Sequence, residues 1–135
     1  MTDSKLCALA IKAMENSYSP YSSCKVGAAL LTKSGKVYTG CNIENASFTP
    51  TVCAERTAFF KAISEGEKEF EKIAVAGGKD GVVTGAFSPC GVCRQVMSEF
   101  CSPDFEILIV KGEESFDKVK LSDLLPYSFK KENVK

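Results

Sequence analysis

The chain has 135 residues, 44% of them hydrophobic, and its 17 lysine and arginine residues balance 17 aspartate and glutamate residues. This length suits one domain over residues 1–135, and the neutral charge provides no positive field to attract nucleic acid or anionic lipid. The first residues lack the apolar stretch of a secretory signal and no segment reaches the ~20 apolar residues of a membrane span, so we expect a cytoplasmic protein without a nucleic-acid or membrane partner.

The first part of the chain predicts a helix followed by a β-hairpin. Apolar residues recur at helical spacing after Asp3 and Ser4, either of which is a suitable cap. A short apolar run then suits a buried strand, and a turn containing Gly35 leads into the return strand. The predicted ranges are 6–14 for the helix, 26–31 and 37–43 for the strands, and 33–36 for the turn.

The second part alternates helices with strands. A helix is predicted from Cys53 to a stop at Gly66, and a second helix begins at Pro89-Cys90 with Val92, Val96, Met97 and Phe100 on one face. Alternation of this kind predicts a layered α/β domain. The remaining predicted segments are strands over 73–76, 105–110 and 115–119, a glycine-rich loop over 77–88 and a short helix over 121–125.

Cysteine and histidine usage narrows the possible chemistry. Seven cysteines in a reducing compartment are better explained by burial, metal binding or catalysis than by disulfides. Histidine is absent, which excludes Ser-His and Cys-His nucleophile pairs and histidine-ligated metals. A metal ion in this chain must therefore be held by thiolates or carboxylates.

Two predicted helix starts carry closely spaced cysteines. Cys53 begins one helix, and Cys90 and Cys93 lie in the first turn of the next. The unpaired N–H groups at a helix N-terminus stabilise thiolates. Three protein ligands leave the fourth position of a tetrahedral Zn²⁺ open for water, as in catalytic zinc sites. The pattern predicts one Zn²⁺ per chain.

Charged residues beside these cysteines complete the predicted site. Three thiolates on a divalent ion give a net charge of −1, which a nearby cation must offset. Arg56, one helical turn after Cys53, and Arg94, directly after Cys93, are the candidates, and we favour Arg56. Glu55 can reach the open position and serve as general acid and base.

The combined spacing is that of zinc deaminases, in which a cysteine or histidine, one residue and a glutamate are followed later by Pro-Cys-x-x-Cys. A Cys-x-x-Cys pair alone is equally typical of redox pairs and structural zinc sites. The joint occurrence of Glu55 with all three cysteines favours the deaminase interpretation. A structural zinc or redox module remains the non-enzymatic alternative.

Over nearly its whole length the chain resembles the cytidine deaminase family, in its short homotetrameric form. The motifs that carry this resemblance are Tyr18-Ser19-Pro20-Tyr21-Ser22, Val26-Gly27-Ala28-Ala29-Leu30, Gly40-Cys41-Asn42-Ile43-Glu44-Asn45-Ala46-Ser47, Cys53-Ala54-Glu55-Arg56-Thr57-Ala58, Pro89-Cys90-Gly91-Val92-Cys93-Arg94-Gln95-Val96 and Leu124-Leu125-Pro126.

The resemblance implies a three-layer α/β/α sandwich with a five-stranded mixed sheet. It implies zinc-dependent hydrolytic deamination of cytidine and 2′-deoxycytidine to uridine and 2′-deoxyuridine, with release of ammonia, as in pyrimidine salvage. It also implies a homotetramer in which neighbouring subunits complete each other's active sites.

Individual residues match positions that contact substrate in the family. Asn42 and Glu44 match groups that hydrogen-bond the ribose hydroxyl, and an amide beside a carboxylate can satisfy a hydroxyl as donor and acceptor. The Ala54 N–H and the Ser88 carbonyl match groups that read the base edge, and Glu55 also contacts the ring nitrogen.

Aromatic positions depart from the family pattern. Cys24 stands where the family usually has an aromatic that packs on the pyrimidine. Phe48, which stands where tyrosine is common, or Phe129 of a neighbouring subunit are the predicted replacements. Phe129 matches an aromatic that reaches into an adjacent subunit's site.

Two other deaminase classes are alternatives. A deaminase of modified cytosine nucleosides such as blasticidin S shares the zinc and glutamate motifs, but Asn42 and Glu44 argue against it. A nucleic-acid editing deaminase would need a basic stripe interleaved with aromatics, and the neutral chain lacks one.

Overall fold

Five strands form one mixed sheet in the order β2-β1-β3-β4-β5 in the computed structural model, which describes residues 1–112 and 114–135. Strand β3 pairs parallel with β4, whereas β1 pairs antiparallel with β2 and β3, and β4 pairs antiparallel with β5. The α-helices and strands are α1 Asp3–Ala13, β1 Cys24–Thr32, β2 Val37–Cys41, α2 Ala54–Ser64, β3 Phe70–Lys79, α3 Gly91–Phe100, β4 Glu106–Gly112, β5 Ser115–Lys120 and α4 Leu121–Leu124.

The sheet separates two hydrophobic clusters, because successive side chains of a strand point to opposite faces. Helix α1 packs on one face through Leu6 and Ala10, against strand residues that include Ala29. Helices α2 and α3 cover the other face through Phe59 and Met97, both fully buried. The three-layer α/β/α prediction is confirmed.

Glycines allow a helix to lie directly on a strand on both sides of the sheet. A Cβ on Gly27 of β1 would lie 2.1 Å from the Ala10 carbonyl oxygen of α1. A Cβ on Gly40 of β2 would lie 2.6 Å from both the Ala54 carbonyl oxygen and the Ala58 nitrogen of α2. The start of α2 is therefore held against β2 by backbone contact.

Several element boundaries differ from the prediction. The N-cap of α1 is Thr2, whose side-chain oxygen accepts a hydrogen bond from the Lys5 N–H at 3.2 Å, rather than Asp3 or Ser4. Strand β3 is ten residues long rather than four, so residues 77–79 of the predicted loop belong to it. The buried face of α3 excludes Val92, which is 57% exposed, because the side chain of that first turn that faces the core is Cys93.

The predicted hairpin turn and the predicted end of α2 are confirmed, and each contains a glycine with left-handed backbone. Gly35, with φ of +94°, forms the turn between β1 and β2, and Gly66, with φ of +98°, follows α2. Both angles favour glycine, which lacks the Cβ that makes this region unfavourable for other residues.

A cluster of charges attaches the first turn of α1 to the sheet. Asp3 lies 2.9 Å from the ammonium groups of both Lys72 on β3 and Lys118 on β5. Glu106 on β4 lies 3.3 Å from Lys72. These hydrogen bonds lower the pKa of the Asp3 carboxyl, the bond with Lys72 having the largest effect.

Within residues 1–112 and 114–135, every helix is too short or too polar to cross a membrane.

Candidate active site

Two helix N-termini meet at one end of the sheet and each begins with a cysteine. Cys53 is the N-cap of α2 and Cys90 is the N-cap of α3, both with extended backbone. Neither side chain bonds the first helical N–H groups. The partial positive charge of both helix ends is therefore directed towards the sulfur atoms.

The sulfur atoms of Cys53, Cys90 and Cys93 all lie within 4.8 Å of one another. Cys53 Sγ and Cys90 Sγ are 3.5 Å apart. Zinc held tetrahedrally at about 2.3 Å from each sulfur would separate the sulfurs by roughly 3.8 Å. The three thiols thus fit a zinc ion, and in the described part of the chain they are the one such cluster of three or more cysteine or acidic side chains.

The four remaining cysteines lie outside this cluster. Cys7 is buried in α1, where burial raises the pKa of its thiol to about 11. Burial raises the pKa of Cys101, at the end of α3, to about 12. A raised pKa disfavours the reactive thiolate form of both residues. The two other cysteines are Cys24 on β1 and Cys41 on β2.

Arg56 supplies positive charge to the thiol cluster. Its Nη2 lies 3.6 Å from Cys53 Sγ. Its Nε is buried and, among the described residues, has no hydrogen-bond partner. The hydrogen bond from Cys93 and the bond from Arg56 lower the pKa of Cys53 to about 5, whereas the ionised Cys53 raises the pKa of Cys93. Cys53 and Cys93 thus share one proton between two sulfur atoms. A metal cation bound between the sulfurs would take the place of that proton.

Arg94 has a different environment. Its guanidinium donates to the Pro89 carbonyl at 2.7 Å, to the Leu124 carbonyl at 2.8 Å and to Ser88 Oγ at 3.2 Å. This residue fixes the segment before Cys90 to the C-terminal part of the chain.

Glu55 is buried in the first turn of α2, with only 3% of its surface exposed. Burial, with a smaller contribution from the neighbouring Cys53 thiolate, raises the pKa of its carboxyl to about 7. A carboxyl that titrates near neutral pH is suited to both accept and return a proton.

A cavity of about 230 Å³ adjoins Glu55 and is called the site pocket here. It is smaller than the roughly 300–1,000 Å³ typical of drug-sized ligands, which suits one small molecule. Its lining residues come from β1, β3, α2, the loop between β2 and α2, and the segment before α3: Val26, Asn42, Glu44, Thr51, Val52, Cys53, Ala54, Glu55, Val75, Phe87, Ser88 and Cys90.

The polar side of the site pocket is formed by Asn42 and Glu44. Asn42 Nδ2 donates to the Cys24 carbonyl at 2.8 Å, and its Oδ1 accepts from the Val26 N–H at 2.9 Å. Glu44 accepts hydrogen bonds from the Tyr21 N–H and from the N–H and hydroxyl of Ser22. The Ser22 hydroxyl is the main cause of the lowered pKa of Glu44. These hydrogen bonds hold the Glu44 carboxylate in one orientation and favour its ionised form.

The predicted aromatic contacts do not lie in this pocket. Phe48 is 71% exposed and has a left-handed backbone with φ of +62°. Phe129 is 62% exposed and lines a separate cavity of about 800 Å³ beneath the C-terminal segment. Neither these residues nor Cys24 line the site pocket of their own chain.

Sequence reasoning missed Phe87, which is the one aromatic residue among those lining the site pocket. It lies in the segment that the sequence predicts only as a glycine-rich loop. Its position directly before Ser88 in the second cysteine motif is the signal that was available.

Comparison with known proteins agrees with this geometry. The family model described as the cytidine and deoxycytidylate deaminase zinc-binding region matches residues 1–109. The chain is 45% identical to a cytidine deaminase of Sporosarcina psychrophila over 96% of its own length and 93% of that protein. It is 47% identical to a probable cytidine deaminase of Dictyostelium discoideum over 92% of its length and 84% of that protein.

Solved structures are similar over the same extent. The cytidine deaminase of Burkholderia pseudomallei superposes with a TM-score of 0.87 at 45% identity, covering 96% of this chain and 100% of that one. The cytidine deaminase of Mycobacterium tuberculosis superposes with a TM-score of 0.81 at 36% identity, covering 96% and 98%. The predicted resemblance and fold are confirmed.

Proposed function

Because the chain belongs to the family of cytidine and deoxycytidylate deaminases, we propose that it hydrolyses cytidine and 2′-deoxycytidine to uridine and 2′-deoxyuridine with release of ammonia. The observation that carries the proposal is the buried Glu55 beside three converging cysteines at the site pocket. The relatives named above are cytidine deaminases and do not favour the blasticidin-type alternative.

The metal ligands in this proposal are Cys53, Cys90 and Cys93, with one zinc ion per chain. When bound there, zinc acts as a Lewis acid that makes water nucleophilic near neutral pH. Arg56 offsets the excess negative charge of the three thiolates through its contact with Cys53 Sγ.

Glu55 moves the protons. Its carboxylate accepts one proton from the attacking water and passes it to the pyrimidine ring nitrogen; it then takes the second proton from the same oxygen and passes it to the departing amine. One water is consumed, the bond from the ring carbon to the amine breaks, and a carbonyl replaces it. Burial of Glu55 supports this role because it places the pKa of the carboxyl at about 7.

The remaining lining groups orient the nucleoside. The Glu44 carboxylate accepts a hydrogen bond from a ribose hydroxyl, and Asn42 lies beside it. The Ala54 N–H, at the start of α2, and the Ser88 carbonyl bind the base edge. Arg94 supports the position of Ser88 through its bonds to the Ser88 hydroxyl and to the carbonyl of the next residue, Pro89.

We further propose that residues 1–135 act as one catalytic domain in a cytoplasmic homotetramer of pyrimidine salvage, without nucleic-acid or membrane partners. The exposed Phe129 would complete the active site of a neighbouring subunit, and the exposed Phe48 would contact substrate only in that assembled form.

A direct assay tests the reaction. Purified protein, with its zinc content measured in parallel, is given cytidine and 2′-deoxycytidine, and the loss of cytosine absorbance is followed. We expect turnover with about one zinc per chain, as a single three-thiolate site implies. Full zinc occupancy with no turnover of either nucleoside would contradict the proposal.

A further inference from the structure

The segment between β3 and the second cysteine motif has no role in metal binding or proton transfer. It runs from Asp80 to Ser88, and its last two residues, Phe87 and Ser88, line the site pocket. The side chains around it on that side, Val26 and Val75, are apolar. Phe87 therefore adds a flat aromatic surface to the apolar part of a lining that also contains the polar pair Asn42 and Glu44.

The ring of Phe87 lies directly on the backbone of β3. A Cβ on Gly77 would be 2.7 Å from Phe87 Cγ and 2.8 Å from Phe87 Cδ2, closer than non-bonded carbon atoms approach. A Cβ on Gly78 would be 1.6 Å from the Val82 carbonyl oxygen. The two glycines thus let the segment fold down on the strand, and Gly77 sets the position of the ring.

We propose that Phe87 is the substrate-binding aromatic against which the pyrimidine ring packs, and that Gly77 is its positioning residue. This inference rests on the proposed function and deepens it. An aromatic side chain offers every base a stacking face, whereas Cys24, Phe48 and Phe129 of the same chain lie outside the site pocket. The aromatic contact is thus provided by the loop that precedes Ser88.

The test compares two Phe→Leu variants, because leucine keeps apolar bulk and loses the aromatic face. Phe87→Leu removes the pocket ring, and Phe116→Leu, on the edge strand β5, is the matched control. The readouts are kcat and KM for cytidine, the dissociation constant of the product uridine by calorimetry, and zinc content. Removing a base-stacking aromatic weakens binding by about 5- to 150-fold.

For Phe87→Leu we expect KM and the uridine dissociation constant to rise at least about 5-fold, while kcat falls less and zinc content is unchanged. Phe116→Leu should leave all four quantities unchanged. Equal KM and uridine affinity in Phe87→Leu and the parent protein would overturn the proposal. Loss of zinc from Phe87→Leu would also overturn it, because the ring would then serve to support Cys90.

A double-mutant cycle tests the positioning role. Gly77→Ala should weaken uridine binding in the parent chain, because the added methyl displaces the ring. In a Phe87→Ala background, the same Gly77→Ala change should have little further effect. Additive effects would overturn the role of Gly77. If the parent protein did not deaminate cytidine, both the proposed function and this inference would be overturned. If the parent protein were active and the variants had unchanged KM and uridine affinity, only this inference would be overturned.

Discussion

Glu55 is almost completely buried, and this burial raises the pKa of its carboxyl to about 7. Its position two residues after Cys53 puts the carboxyl beside the metal ligands without making it one of them. Proton transfer and metal binding are thus assigned to different residues, and a substitution can separate them.

We expect Glu55→Gln to retain zinc and to lower kcat by at least ~10²–10⁴-fold, the usual contribution of general acid–base catalysis. Glutamine has the shape of glutamate but cannot exchange protons near neutral pH. Glu65→Gln, at the C-terminal end of the same helix, is the control and should be fully active. A Glu55→Gln protein with parental activity would rule out the proton-transfer role.

The metal cluster could be predicted from the sequence because its residues stand close together in two short motifs at helix starts. Phe87 could not, because its place in the pocket depends on a loop folding onto Gly77, ten residues earlier. Phe48 was predicted as a substrate contact because it stands where the family often has tyrosine, yet its side chain is exposed in the single chain. Residues whose position depends on loop packing are thus the hardest to infer.

At the scale of elements, the contact of α2 with β2 determines where Cys53 and Glu55 lie. We expect Gly40→Ala to lower the free energy of unfolding by about 1–3 kcal/mol, the usual cost of overpacking, because its Cβ would overlap the α2 backbone. Zinc affinity should fall as well, since the displaced helix carries a ligand. Denaturant unfolding and zinc titration measure the two effects.

Gly112→Ala is the control for this substitution. Gly112 lies at the end of β4, and among the described residues that are not adjacent to it in the chain, its Cβ would meet only Ser115 Cβ within 4 Å, at 3.9 Å. The variant should keep its zinc affinity. If Gly40→Ala and Gly112→Ala lowered zinc affinity equally, the close approach of β2 and α2 would not be what positions the site.

The charge cluster at the start of α1 gives a pH-dependent prediction. The Asp3 pKa is lowered in the folded state, so its contribution is present above the ordinary value of 3.8 and is lost as pH falls through the folded pKa. Because the pair is partly exposed, Asp3→Asn should cost at most about 1 kcal/mol at pH 7. The difference should shrink at pH 3 and in high salt.

Thermal unfolding of both proteins at pH 3 and pH 7 measures this difference. Asp104→Asn is the matched control, because Asp104 is 82% exposed and its single lysine partner is 3.6 Å away. A cost for Asp3→Asn that is the same at both pH values would exclude the ion-pair explanation.

At the scale of the whole molecule, the layered fold follows from the alternating pattern of helices and strands, and it was predicted correctly. The extent of β3 was not, because Gly77 and Gly78 near its end are residues that in isolation indicate a loop. These glycines lie in the strand because β1 pairs with them: Lys25 is opposite Gly78 and Val26 is opposite Gly77. A long-range pairing here overrides local propensity.

Shared active sites can be tested by mixing inactive subunits. We expect Glu55→Gln and Phe129→Ala proteins, each impaired alone, to give more activity when co-expressed than the sum of the two. In a mixed assembly, a site with Glu55 can receive Phe129 from a neighbour. Co-expression of Glu55→Gln with Cys53→Ala is the control, because both changes lie in the same chain's site. Additive activity in the first mixture would contradict sharing.

The close approach of Cys53 Sγ and Cys90 Sγ, at 3.5 Å, has a practical consequence for handling the protein. Cys90 is exposed, and the pKa of Cys53 is low enough to give a reactive thiolate. Without its ion, the pair is placed to oxidise in air. Protein stored aerobically with a chelator should therefore lose free thiols. It should regain activity only when a reductant is added before zinc, whereas zinc-loaded protein should keep its free thiols and its activity.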